Sequence, residues 1–359
     1  MLRTSTGSPF TLNPPIGGNQ SPSPIPGHPD GERIDPDAIP ETLERLMNEL
    51  EGAYAEATLR AYRSDFEIFT AWCRRCPYDA LPAAPRTISK FIEAAMEGSS
   101  PATIRRRVTS IGRIHKFLEL PDPTKAEHVR LALRRMHRAK GRRQKQALGM
   151  TAELRDRLLA AAADDLVGLR DRVVISLAYD TLCRRSELVA LRIEELERVT
   201  QGGAIIPVRR SKSDQEGDGR MAYVSPRTLE YVVRWVKQAK LDTGPIVRSV
   251  TKSGRIGNSL YSGSVGRVFK RLGTRAGLED RVVKRLSSHS ARIGAAQDMA
   301  AAGIDILVLM QAGGWQSPNI VGRYIRKLDV LRGGGFRLAS QQQEIGQSGQ
   351  LPRPGNLLR

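Results

Sequence analysis

The chain has 359 residues, 40% of them hydrophobic, enough to bury a core in each of two domains. Its 57 Lys and Arg against 38 Asp and Glu give a net charge of +19, which points to a polyanionic partner, nucleic acid first. Three cysteines make no disulfide framework, no apolar run is long enough to span a membrane, and no signal-like stretch opens the chain, so a cytoplasmic protein without membrane partners is expected.

Residues 1–40 hold 9 of the 21 prolines and read as a disordered arm. From Glu41 the pattern turns helical. Leu43, Leu46, Met47 and Leu50 form one stripe, and Leu59, Tyr62, Phe66, Phe69 and Cys73 form a second, for which Thr58 is the expected N-cap. A third helix opens at Ser100-Pro101 and buries Ile104, Val108, Ile111 and Leu118, leaving Arg105, Arg106, Arg113 and Lys116 largely off that stripe. A further helix through Val129, Leu133 and Met136 ends near Lys140-Gly141. Residues 101–145 carry 14 Lys or Arg and 3 Asp or Glu, a local excess of +11. A short charge run is usually a solvated helix face, but this one crosses at least two elements and suits phosphates. Arg105, Arg106 and Lys116, with Arg142, Arg143 and Lys145 of the basic linker 141–150, are the expected DNA-binding residues. Cys73-Arg-Arg-Cys76 lacks the companion ligands that zinc needs, so Cys73 is expected in the core and no metal is called.

A second domain is expected from 151 to 335, with a tail over 336–359. Thr151 is its candidate first N-cap. It is mostly helical, with short β-type runs at Ala204–Val208 and Met221–Val224 that read as a small hairpin. Three segments concentrate chemistry. In the first, Arg184 and Glu187 lie three apart, a spacing that by itself is most often a surface ion pair. In the second, Ser288-His-Ser-Ala-Arg292 sets His289 and Arg292 at the start of an Ala-rich helix that Gly303 can end, an arrangement suited to an anion. In the third, Ser317-Pro318 opens a helix carrying Tyr324, and Trp315 precedes it by a short turn.

Taken in order, Arg184, the hairpin lysine Lys212, His289-x-x-Arg292, Trp315 and Tyr324, with Glu187 as the acid, resemble the tyrosine recombinase, or phage integrase, family. The likeness is densest from Ser288 to Arg326 and extends more loosely over 41–330. It implies a mainly α fold, an all-helical core-binding domain (41–140) followed by a mostly helical catalytic domain with a small sheet. It also implies a site-specific recombinase, four protomers on two double-stranded DNA duplexes, and strand exchange through a Holliday junction.

The chemistry of the residues agrees with that expectation. Arg184 and Arg292 suit the nonbridging oxygens of a phosphodiester, and Trp315 can donate its indole N–H to them. Tyr324 would attack as a phenolate, with His289 as its base or as a second donor to phosphate. Glu187 would orient His289 or Arg184, and Lys212 would protonate the leaving 5′ oxygen. The 3′-phosphotyrosine keeps the bond energy, so no cofactor is expected. Two features depart from the family pattern. The loop Lys212–Gly219 carries three acids, and Gly333-Gly-Gly335 disfavours, before Phe336, the C-terminal helix that docks into a neighbour in this family. A type IB topoisomerase and a non-catalytic DNA-binding regulator are the competing readings.

Overall fold

The computed structural model describes residues 34–141, 146–209 and 219–325. They form two compact units that divide between residues 145 and 146. None of their helices is long and apolar enough to cross a membrane.

The first unit is helical throughout: α1 (Ile39–Glu49), α2 (Glu56–Arg74), α3 (Pro85–Ala95), α4 (Pro101–Phe117) and α5 (Glu127–Lys140). Phe66, Phe69, Trp72 and Phe91 are buried at its centre, with Phe69 and Phe91 edge to face at 5.1 Å between ring centroids. Each such ring contributes on the order of 2 kcal/mol of burial. Ser100 caps α4 as the sequence suggests, accepting the Thr103 N–H at 3.2 Å, and Gly141 ends α5 at φ +72°. Cys73 lies in this core, where burial pushes its thiol well up.

Three details differ from the sequence reading. Thr58 is not an N-cap, because α2 begins at Glu56 after the extended Ala55. The short α3, hidden in a Pro-rich approach, was not expected, yet its Ile88, Phe91 and Ile92 are wholly buried. Ile34 and Ile39 were assigned to the arm, but Ile39 is buried and the Ile34 N–H donates to Leu81 O at 3.2 Å. Two apolar side chains so close to a core gain more by burial than they lose in chain entropy.

In the second unit, α6 (Ala152–Ala160) precedes α7 (Leu166–Asp180), which is buried on nearly every side, Arg170 and Asp171 included, and forms the axis of the unit. After α8 (Arg185–Ala190) comes a three-stranded antiparallel sheet of β1 (Glu197–Arg198), β2 (Ala204–Val208) and β3 (Arg220–Val224), in the order β1-β2-β3. The expected hairpin is its β2–β3 pair. The two-residue β1 is too short to leave an alternating pattern in the sequence. Then follow α9 (Pro226–Gln238), α10 (Ser262–Arg275), α11 (Asp280–Arg285), α12 (Ser290–Ala301), α13 (Ile306–Gly313) and α14 (Pro318–Ile325).

Helix α12 is held deep in this unit by close backbone packing. A Cβ at Gly294 would fall 1.8 Å from the Met150 carbonyl oxygen, and the Met150 N–H donates to Ser290 O at 2.8 Å. Only glycine permits that approach. Residues 148–150, read as linker, are thereby laid along the helix that carries His289 and Arg292.

Candidate active site

Six of the seven expected catalytic residues come from three places that α7 and α12 bring together. Leu182, in the turn after α7, sits at φ +52°, a left-handed conformation rare for a side chain of its size. Its carbonyl accepts a hydrogen bond from Arg292 Nη1 on α12. Arg292 Nη2 donates to Gly313 O at 2.6 Å, and the guanidinium lies 4.3 Å above the Trp315 ring. Arg292 is 1% exposed, and burial together with the nearby Arg184 lowers its pKa to about 10, so it remains a cation at neutral pH. Two of its N–H groups hold backbone, which fixes the direction of the fork.

Arg184 is the N-cap residue of α8. Glu187 grips it twice, with Oε2 accepting the Arg184 backbone N–H at 2.9 Å and Oε1 accepting Nη1 at 2.6 Å. The pair is therefore not a surface ion pair. Glu187 is 4% exposed, and it orients Arg184 directly.

Tyr324 rises from α14 with its hydroxyl 3.3 Å from His289 Nε2. The rings of Tyr324 and Trp315 lie 5.8 Å apart, and Trp315 is buried in the small apolar cluster that seats α14. The Tyr324 carbonyl also accepts a hydrogen bond from Gln297 of α12 at 3.1 Å. His289 precedes α12, and burial first, then the Arg292 and Arg184 charges, lower its pKa. It is thus neutral at physiological pH and able to accept a proton. Three arginines, Arg184, Arg292 and Arg220, face this region, and Glu187 is the acid that the titration of Arg292 and His289 senses. The excess of positive charge suits a phosphodiester.

Lys212, Arg142, Arg143 and Lys145 lie outside the described residues, as does the Gly333–Gly335 run. In the first unit Arg105, Arg106 and Lys116 are exposed on α4, but Arg106 is also engaged, 2.8 Å from the buried Asp65. Arg220 and Gln297 were missed by the sequence reading. No local motif marks either one, and their contacts join residues 27 to 39 positions apart.

Comparison with known proteins converges on one family. The phage integrase family profile matches residues 149–330. The chain is 32% identical over 313 residues to an integrase/recombinase XerD homolog of Selenomonas ruminantium, covering 81% of this chain and 89% of that relative. It is 30% identical over 303 residues to the recombinase Cre of Escherichia phage P1, covering 80% and 88%. Among solved structures, a lambda integrase dimer bound to a COC' core site matches with a TM-score of 0.55 at 16% identity, over 80% of this chain and 77% of that one. The XerH recombinase bound to palindromic difH in a post-cleavage complex matches with a TM-score of 0.53 at 16% identity, over 79% and 80%. At these identities the two structures establish likeness of fold.

Proposed function

The chain belongs to the phage integrase family, the tyrosine recombinases, and from that premise we propose how its own residues cut and rejoin DNA. The observation that carries the proposal is the Tyr324 hydroxyl 3.3 Å from His289 Nε2, beside Arg292 and the Arg184–Glu187 pair. Arg184 and Arg292 bind the nonbridging oxygens of one phosphodiester and stabilise the charge gained as the phosphorus becomes five-coordinate. Neutral His289 takes the phenol proton as the Tyr324 oxygen attacks. The P–O bond to the 5′ oxygen breaks, and Lys212 supplies the proton that makes it a free hydroxyl. The product is a 3′-phosphotyrosine. Attack on it by a 5′-hydroxyl from another strand reverses each step, so recombination needs no external energy source.

Exchange between two duplexes requires several protomers, and a homotetramer that passes through a Holliday junction is the assembly proposed here. Arg105 and Lys116 of α4, with the linker basics Arg142, Arg143 and Lys145, would hold backbone phosphates. The identity to named recombinases supports strand exchange over simple relaxation of DNA.

The test uses a duplex that carries a target site recovered by binding selection, nicked so that a short 5′-hydroxyl fragment is lost on cleavage. Wild type should accumulate a covalent protein–DNA adduct resolved by denaturing electrophoresis. Tyr324→Phe should bind the same duplex and form none. An adduct retained by Tyr324→Phe would move the nucleophile elsewhere.

A further inference from the structure

Two short turns set the directions of two catalytic side chains. Residues 181–183 lead into Arg184, and residues 313–314 lead into Trp315. The first is conformationally demanding, with Leu182 at φ +52°, and the second runs through Gly314 at φ +60°, a conformation open to glycine. A leucine in that region persists only where its surroundings hold it there.

Arg292 holds both turns from α12, through Leu182 O and Gly313 O. A second arginine reaches the same two turns from β3. Arg220, the first residue of β3, donates from Nη2 to Thr181 O at 2.6 Å and lies 3.8 Å from Cys183 Sγ. Its Cδ and Nε pack against Gly314, only 3.2 and 3.3 Å from where a Cβ would stand. Its Nη1 is buried and has no hydrogen-bond partner among the described residues. Arg220 also pairs with Val208 at the last rung of the β2–β3 ladder, where the chain leaves for the loop containing Lys212.

We propose that Arg220 is a positioning residue for DNA cleavage: from the root of the β2–β3 hairpin it braces the turns that aim Arg184 and Trp315 at the scissile phosphate. The inference rests on the recombinase reading above. A guanidinium suits this role because Nη2 reaches both Thr181 O and Cys183 Sγ while Cδ and Nε rest against Gly314. A lysine ammonium keeps the charge but not that span. Removing the brace releases Leu182 from one side and lets Arg184 drift, and a displacement of about 1 Å in a positioning group lowers rate by roughly 10²-fold.

Single-turnover cleavage of the nicked target duplex at saturating protein tests this, alongside Kd for that duplex and the melting temperature. Wild type should cleave. Arg220→Met should cleave about 10²-fold more slowly at unchanged Kd, and Arg220→Lys, which keeps charge and bulk if the methionine variant fails to fold, should recover only part of the rate. The loss should persist when sulfur replaces the bridging 5′ oxygen, since a thiolate leaves without a proton. Arg220→Lys cleaving like wild type would overturn the fork assignment. A rate that falls only in step with Kd would make Arg220 a DNA-binding residue, and recovery on the sulfur substrate would move its role to the leaving group. Either result ends the proposal. If wild type itself forms no adduct, the recombinase reading fails instead, and the two failures are told apart.

Discussion

Arginines crowd a buried carboxylate in both units, and the two clusters are built to opposite ends. In the first unit, Asp65 is fully buried between α2 and α4, 2.8 Å from Arg106 and 4.0 Å from Arg107, and accepts the Ser110 hydroxyl at 2.8 Å. Arg107 donates onward to Ser99 Oγ at 3.0 Å. The charges there face one another and fasten two helices together. In the second unit, Glu187 holds Arg184 from behind, while Arg292 and Arg220 donate to backbone carbonyls, which are neutral. Carbonyl partners fix a guanidinium without cancelling its charge. The field left over is what a phosphodiester would meet, so in the proposed reaction the same residue type serves stability in one place and charge stabilisation in the other.

The comparison breaks first, and by the largest margin, at Arg292. Arg292→Lys keeps the charge but loses the fork that spans two turns, and cleavage of the nicked duplex should fall by about 10²–10³-fold with DNA affinity nearly unchanged. A loss in affinity that matched the loss in rate would make the second cluster a binding device only. Asp65→Ala is the counterpart in the first unit. It strands Arg107 in a largely buried place, and the thermal midpoint of that unit should drop by the equivalent of about 3 kcal/mol, the low end for a broken buried pair because Arg106 is half exposed. Cleavage by the protein that remains folded should be normal. If Asp65→Ala melted like wild type, the α2–α4 joint would owe nothing to this cluster.

Surface charge gives a smaller effect. Arg105→Glu and Lys116→Glu alter exposed positions on α4 outside the Asp65 cluster, and each should reduce the slope of log K against log salt by about 1. Arg106→Glu should differ from both, because it also attacks the joint at Asp65 and should lower the melting temperature. A flat response at Arg105 and Lys116 would leave that face as solvated surface.

The smallest effect separates the two units by pH. His115 is buried, with Nε2 accepting the Ala83 N–H at 2.9 Å, so Nδ1 carries the proton and donates to Ile111 O. Burial lowers its pKa below the ordinary ~6.5, so the folded state favours the neutral ring. Stability from this site is present above ~6.5 and is lost as pH falls from there through the lowered folded value. The first unit should melt earlier in mild acid, and His115→Gln should flatten that dependence. His289 is held neutral in the same direction, so the acid limb of the cleavage profile should also lie below ~6.5. Acid limbs for melting and cleavage that moved together in His115→Gln would show that one histidine governs both.

Much of this was legible in the chain itself, for reasons that differ by element. Helices α2, α4 and α5 were evident because their apolar residues recur at helical spacing, and Ser100-Pro101 and Gly141 mark ends by local backbone chemistry. Helix α3 was not, since it opens at Pro85 just after Pro82, in a stretch that looks like loop. The Thr58 cap failed because a threonine one turn inside a helix looks the same in sequence as one that starts it. Helix α13 went unread for the opposite reason. Its residues are apolar on all sides, yet Leu307 and Val308 stand exposed, so no stripe separates core from surface.

Reactivity belongs to the side chain and survives without coordinates, so the chemical inventory can be read from the chain alone: a tyrosine, two arginines, a histidine, a glutamate and a tryptophan in a fixed order. How each member is used came from packing. The fold shows that Glu187 grips Arg184, that Arg106 spends part of its charge on Asp65, and that Arg220 and Arg292 share the turns at 181–183 and 313–314. Those outcomes depend on contacts between residues up to 110 positions apart, such as Arg292 with Leu182. No local spacing records them, since the packing of α12 against α7, with the Met150 backbone laid on Gly294 where no side chain fits, is what brings the partners within reach.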